Sequence, residues 1–301
     1  MDESTPSRTA LMTSLIRALH SHYDSAPLLD DPWGDRLVPQ SARGELRQYI
    51  LAAMDSDARA AALRAPDSIL DDYLRAFDAI VVIRSRYTED ALKEAVERGT
   101  RQYVLIGAGF DSFALRRPAF SKDVEIFEID HPATQTLKLE RIKECGIPLP
   151  RSLHFIAANL ASESLEAVLD RSPFRRGEPA FFSWLGVTPF LTREANLATL
   201  RAVATCGARG SKLVFTYTDQ KEFNSDFGSE LLRKLRTLMA SMGEPIVCGF
   251  DPKELASDLQ HVGLELVEDL DAQMMSERYR RTQPFAHQHI ALAGVSNVAV
   301  V

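Results

Sequence analysis

The spacing of apolar positions divides this chain into two textures. Residues 1 to about 100 read as helix. In "TALMTSLIRALHSHY", Leu11, Leu15, Ile16 and Leu19 recur at the helical interval. Turn signals follow in "SAPLLDDPWGD". Ala-rich helices are then expected through 45–64, and another near 67–85, started by Pro66-Asp67. "TEDALKEAVERG" predicts one more, with Thr88 as N-cap and Gly99 as the C′ residue.

From residue 102 short apolar runs alternate with helical patterns. The strands predicted are "YVLIG" (103–107), "VEIFEI" (124–129), "LHFIAA" (153–158), "AFFSW" (180–184), "KLVFTY" (212–217), "LELVEDL" (264–270) and "HIALAGV" (289–295). Between them, Pro132 to Lys143 reads as a helix with Pro132 at N1 and Gly146 as its stop. Glu194 to Cys206 is a second, and "DPKELASDLQHVG", capped by Asp251, a third. Strands alternating with helices mean an α/β fold, a seven-stranded, mostly parallel sheet covered on both faces. The last two strands, joined by a tighter connection, suit an antiparallel edge hairpin.

Composition bounds the class. The chain of 301 residues is 45% hydrophobic and 26% charged, the profile of a globular protein with a substantial core. Its net charge of -7, with no Lys/Arg-rich run, disfavours nucleic acid and anionic membrane as partners. Cys145, Cys206 and Cys248 are scattered and lie near no His at ligand spacing, so neither a disulfide framework nor a metal site is expected. "MDESTPSRTA" lacks an apolar signal core, and a cytoplasmic protein is expected.

The candidate chemistry lies in "YVLIGAGFDSFALRRP". Gly107 and Gly109 end the first strand, where ligands bind in open parallel sheets and where a turn free of Cβ atoms admits them. Asp130, 21 residues beyond Gly109, ends the second strand, the position for an acid that accepts hydrogen bonds from ribose hydroxyls. Two details point away from a nicotinamide dinucleotide. Ser112 replaces the third small residue of that fingerprint, and Asp111 puts a carboxylate where a pyrophosphate belongs. A cationic sulfonium without phosphate, as in S-adenosyl-L-methionine (SAM), meets no such repulsion.

"VLIGAGFDSFALR" followed by "FEIDHP", with "PSRTALMTSLIRA", "LLDDPWGDRLV", "IRSRYTED" and "AFFSWLGVTPFLT" in the same order, resembles the leucine carboxyl methyltransferase family. The likeness covers nearly the whole chain, and its nearest branch is that of bacterial SAM-dependent O-methyltransferases. It implies the seven-stranded class I methyltransferase sheet, with residues 1–100 as a helical cap and 101–301 as the SAM domain, carrying a lid insert at about 220–250. It implies that Arg84 binds the SAM carboxylate, with Arg86 as the neighbouring alternative and Arg17 as a second basic contact. Gly107 and Gly109 then flank the methionine moiety, Asp130 holds the ribose, and Asn159 and Leu160 meet the adenine. Three positions depart from the pattern: Asn159 stands for Asp, Phe113 for Arg and Leu185 for Glu.

The function implied is SAM-dependent O-methylation of a small molecule, at a carboxylate or a phenolic or alcoholic oxygen. No residue is singled out as catalytic base. The competing readings are an NAD(P)-dependent oxidoreductase and a catalytically silent nucleoside-binding protein. His20, His22 and Tyr23 are expected to complement the end of the first helix, and Trp184 and Phe190 to be core or cofactor-packing aromatics. Leu231, Leu235, Leu238 and Met242 are expected to form a packed helical face, or a lid over the acceptor.

Overall fold

The computed structural model describes residues 5–64, 68–223, 230–281 and 287–296. Seven strands form one sheet: β1 (Gln102–Ile106), β2 (Glu125–Asp130), β3 (Leu153–Ala157), β4 (Ala180–Trp184), β5 (Lys212–Thr218), β6 (Leu264–Leu270) and β7 (Gln288–Val295). Their order is β3-β2-β1-β4-β5-β7-β6, with β7 antiparallel to both neighbours and the other observed pairings parallel. Chain direction across the sheet reverses between β1 and β4. A crevice at their carboxyl ends is therefore the expected ligand site.

Helices run in chain order as α1 (Arg8–Tyr23), α2 (Gly34–Leu37), α3 (Gln40–Ala53), α4 (Ser56–Ala62), α5 (Ile69–Arg75), α6 (Asp78–Glu97) and α7 (Phe113–Arg116). They continue as α8 (Pro132–Glu144), α9 (Leu165–Leu169), α10 (Arg193–Cys206), α11 (Glu230–Ser241), α12 (Leu255–His261) and α13 (Ala272–Tyr279). No helix among the described residues is long and apolar enough to cross a membrane.

Period-two alternation builds the two faces of the sheet. Val104, Ile106, Phe127, Ile129, Phe182 and Phe215 join the core beneath α9, α10 and α12. Tyr103, Leu105, Ile126, Phe181 and Val214 point the other way, against Ile83, Tyr87 and Leu92 of α6 and Met275 of α13. A third cluster lies mostly off the sheet, touching it at Phe155 of β3. It joins Leu11, Leu15 and Leu19 of α1, Leu46 and Ile50 of α3, and Leu74 of α5 to Leu238, Met239, Met242 and Ile246. The N-terminal helices and the segment after β5 therefore share one apolar core.

The structure corrects four local expectations. Thr88 caps nothing: α6 runs unbroken through it, and its hydroxyl donates to the Arg84 carbonyl at 2.7 Å. "IRSRYTED" contains no breaker, so the hydroxyl bonds back along the helix instead of starting one. The predicted helix at 67–85 is two, α5 and α6, and its Pro66-Asp67 start lies outside the described residues. Asp251 caps a turn ahead of α12, its Oδ1 accepting from the Lys253 N–H at 2.9 Å, while the helix itself starts at Leu255. The connection from β6 to β7 is not tight, because Asp271 caps α13 within it. The strand that returns, β7, enters between β5 and β6 and leaves β6 at the edge.

Gly34, in the predicted turn "DPWGD", lets α2 lie against α1. A Cβ there would stand 2.2 Å from the Ser14 carbonyl oxygen, a backbone atom that cannot swing aside. Gly34→Ala is expected to lower stability by about 1–3 kcal/mol, as overpacking does. A urea melt with unchanged midpoint would show that the two helices part without cost.

Candidate cofactor and acceptor site

Gly107 and Gly109 both adopt positive φ, +68° and +52°, which a side chain would resist. Their turn is folded back on β2: the N–H groups of Gly107 and Ala108 both donate to the Ile129 carbonyl, at 2.9 and 3.0 Å. Space is as decisive as φ. A Cβ on Gly107 would come 2.5 Å from Val187 Cγ2, and one on Gly109 would come 2.9 Å from Ala10 Cβ. The turn is thus pressed between the loop after β4 and the first turn of α1.

Asp130 stands at the end of β2 facing this turn. One carboxylate oxygen accepts from the Gly109 N–H and the other from the His131 N–H, the latter at 2.6 Å. Burial raises its pKa, and these two N–H groups partly offset the rise. Behind it, Glu128 and Lys138 form a buried ion pair at 2.5 Å. Burial outweighs the lysine and lifts the Glu128 carboxyl to about 7.

Arg84 lies mid-way along α6, with Ile83 and Ser85 buried beside it. Its guanidinium reaches the loop after β4, where a Cβ on Gly186 would meet Nη1 at 2.6 Å. Gly186 is the glycine of "LGVTPF", so the motif makes room for the arginine. Among the described residues the guanidinium has no hydrogen-bond or ion-pair partner. Burial, aided by repulsion from Arg17, brings its pKa down to about 10, and the Asp111 carboxylate opposes that shift. It remains charged at neutral pH, a cation without a counter-ion.

Arg17 is differently placed. It pairs with the fully buried Asp31 at 2.7 Å and donates to the Phe110 carbonyl at 2.7 Å, bracing the glycine turn from below. Burial opposes ionisation of Asp31, but Arg17, Arg116 and Ser112 together hold its carboxyl below the usual range. Arg116 also pairs with Glu89 and donates to Ser112 Oγ at 3.0 Å. The sequence reading missed this chain of charges. Its signal was present in "LLDDP", but nothing in the spacing pairs Asp31 with Arg17.

Arg84, Gly107, Gly109, Asp130, Asn159 and Leu160 all line a single cavity of about 480 Å³, within the usual range for small-molecule sites. Arg17, Asp111, His131 and Leu185 line it as well. Arg86 does not: it pairs with Asp90 at 2.9 Å on the exposed side of α6. Asn159 Oδ1 accepts from the Ala161 N–H at 3.1 Å, which fixes the loop after β3. Phe113 is core, edge-on to Tyr103 at 5.1 Å, so that departure faces away from the cavity. Trp184, otherwise buried, and Phe190 both line the cavity. His20 accepts from the Leu28 N–H through Nε2 and meets Asp78 through Nδ1, a closed structural arrangement. His22 faces Asp35, and Tyr23 is exposed beneath Arg75.

Beyond the glycine turn the cavity becomes apolar. Ile16, Phe77, Ile80 and Val81 form one wall, and Phe190, Leu235, Met239 and Ile246 the other. Of the predicted stripe, Leu235 lines this space while Leu238 and Met242 are buried behind it. The Leu231 side chain lies outside the described residues. The polar group that sequence reasoning missed altogether is Glu244, whose carboxylate meets the first turn of α1 on the cavity wall.

Comparison with known proteins shows the family and the fold. A Bacillus subtilis protein with the provisional name S-adenosyl-L-methionine-dependent methyltransferase YktD is 29% identical over 275 residues, 90% of each chain. A Parafrankia protein with a similar provisional name is 31% identical over 207 residues, covering 68% of this chain and 61% of that one. The crystal structure of a Thermobifida fusca protein, provisionally a methyltransferase, covers 98% of this chain and 97% of its own with a TM-score of 0.60. At 14% identity, that likeness speaks for the fold alone. The family model described as leucine carboxyl methyltransferase matches residues 10–204, and the chain belongs to that family.

Proposed function

We propose that the protein transfers the methyl group of S-adenosyl-L-methionine to an uncharged oxygen, a phenol, enol or alcohol, of a small apolar acceptor. The observation that carries the cofactor reading is the unpartnered Arg84 guanidinium, sharing one cavity with the glycine turn and Asp130. An unpaired cation on the wall of a cavity calls for an anion, and a ligand carboxylate supplies one. At the other end Asp130 keeps lone pairs for ribose hydroxyls, and Asn159 and Leu160 flank the place for a base. Residues 1–100 serve as a cap and the insert at about 220–250 as a lid. Both contribute wall to the cavity.

A nicotinamide dinucleotide suits this site poorly. Pyrophosphate rests on the N-terminus of a full helix after the first strand. Here α7 has only 4 residues, and the Asp111 carboxylate, bonded to the Phe113 N–H at 2.7 Å, stands before it.

When bound, the cofactor supplies a methyl group already activated on a sulfonium. The protein's part is to orient the acceptor oxygen on the methyl and to exclude water around it; as the O–CH3 bond forms and the S–CH3 bond breaks, the acceptor's hydroxyl proton carries the positive charge away to solvent. The acceptor class follows from the cations present. Of the basic side chains lining the cavity, Arg17 is engaged by Asp31, Arg84 serves the cofactor, and His131 adjoins Asp130. The segments outside the described residues contain no Lys, Arg or His. A carboxylate acceptor, the kind for which the family is named, would find no side-chain cation of its own. The second reading is therefore a carboxyl acceptor whose counter-ion is the sulfonium. An alkali-stable methylated product favours the oxygen ether, and methanol released by alkali favours the ester.

Two measurements follow. In calorimetric titration with S-adenosylhomocysteine, Arg84→Met is expected to weaken binding tenfold to a hundredfold, equivalent to about 1.5–3 kcal/mol for lost charge-assisted bonds. NADH is expected not to compete; displacement by NADH, or equal affinity in the variant, would contradict the assignment. The second concerns pH. Protonation removes acceptor capacity from Asp130, whose pKa is raised by burial, so affinity falls as the pH is lowered, and does so above the ordinary aspartate range. Asp130→Asn is expected to flatten that profile. A profile that keeps its slope in the variant would place the titrating group elsewhere.

A further inference from the structure

The first turn of a helix leaves N–H groups that its own carbonyls cannot satisfy. In α1 those of Arg8 and Thr9 are answered from 236 and 235 residues away. Glu244 Oε1 accepts from the Arg8 N–H at 2.6 Å and from the Thr9 N–H at 3.3 Å. Oε2 accepts from Ser7 Oγ at 3.0 Å and from Thr9 Oγ1. The Arg8 guanidinium returns the contact by donating to the Met242 carbonyl at 2.9 Å. A carboxylate here also faces the positive end of the helix dipole. Glu244 is buried, and its own N–H donates to the Met239 carbonyl at 2.9 Å, which ties it to the end of α11.

This cluster forms part of the cavity wall. Ser7, Thr9, Ala10 and Thr13 line it from α1, and Gly243, Glu244, Pro245 and Ile246 from the insert. Ala10 rests directly over Gly109, at the spot where a Cβ would stand only 2.9 Å away. The first turn of α1 therefore covers the glycine turn, and Glu244 holds it there.

We propose that Glu244 is a positioning residue that fastens α1 to the insert across the cavity, and that release of the demethylated cofactor requires this clasp to open. The proposal rests on the reading that the cavity takes SAM and S-adenosylhomocysteine. Hydrogen bonds suit such a fastener better than apolar contact. Opening exchanges each one for a bond to water, so the first turn of α1 lifts while Leu15 and Leu19 stay in the apolar cluster shared with the insert. Because the same turn carries Pro245 and Ile246 of the acceptor wall, one opening serves both compartments.

The test uses the full chain. The release rate of S-adenosylhomocysteine is followed by stopped-flow, and hydrogen exchange compares residues 5–16 and 238–250 with β1, β4 and β5. Glu244→Ala is expected to speed release at least tenfold and raise exchange in the two fastened segments, with the strands unchanged. Glu244→Gln is expected to fall between: its amide oxygen still accepts from Arg8 and Thr9, but the charge is gone. Thr9→Val, which removes the hydroxyl's contacts to Glu244 and Ser7 and keeps shape, is expected to speed release severalfold. It and Glu244→Gln decide the matter if Glu244→Ala loses protection in the strands. Unchanged release in the variants that keep their sheet protection overturns the proposal, even if exchange rises. A wild-type chain that fails to bind S-adenosylhomocysteine would overturn the cofactor reading instead.

Discussion

An unpaired positive charge on the wall of a cavity calls for an anion, and the half-buried Arg84 is such a charge. Much of the surrounding site can be understood as what keeps it in place. The length of α6 carries it in from the cap, and Gly186 gives up its side chain to make room. Arg17, the one other guanidinium lining the cavity, is committed to Asp31 and to the carbonyl of Phe110. That commitment leaves Arg84 available while its neighbour props up the turn on which a ligand would lie. A fold under selection for stability alone would have paired both cations or removed one.

The two glycines of the turn act through opposite contacts. Gly107 is approached by Val187, from the loop after β4, and Gly109 by Ala10, from α1. The first contact belongs to the sheet and its switch point. The second belongs to the cap, so the cap is built into the ligand site. The shared apolar cluster of α1, α3, α5 and the residues around Met242 makes the same point from the packing side. It has one wall of helices encoded before the sheet and another encoded after β5. Neither buries its apolar face without the other.

Strands and glycines were legible in the sequence because each rests on a local rule. All seven strands lie where apolar runs put them, and α8 starts at Pro132 as the N1 rule requires. Asp130 was legible because its place is counted from the turn along one strand. What stayed hidden depends on tertiary partners. Thr88 has the chemistry of a cap, but an unbroken helix absorbed it. The short α13, only 8 residues long, was not read as a helix, and it turned an apparent hairpin into a longer crossing. Arg84 entered the reading through a family likeness, since nothing local separates it from Arg86, which faces solvent. Glu244 gave no signal at all: one acid between a glycine and a proline acquires meaning only beside a helix start 236 residues earlier.

The central claim is that the lone cation on α6 receives the carboxylate of a nucleoside-sulfur ligand whose ribose rests on the acid ending β2. A crystal structure of the chain with S-adenosylhomocysteine tests it most directly. The account predicts the ligand carboxylate within hydrogen-bond distance of the Arg84 guanidinium and both ribose hydroxyls on the Asp130 carboxylate. A ligand bound with its carboxylate in solvent, or with its ribose turned away from Asp130, would contradict it.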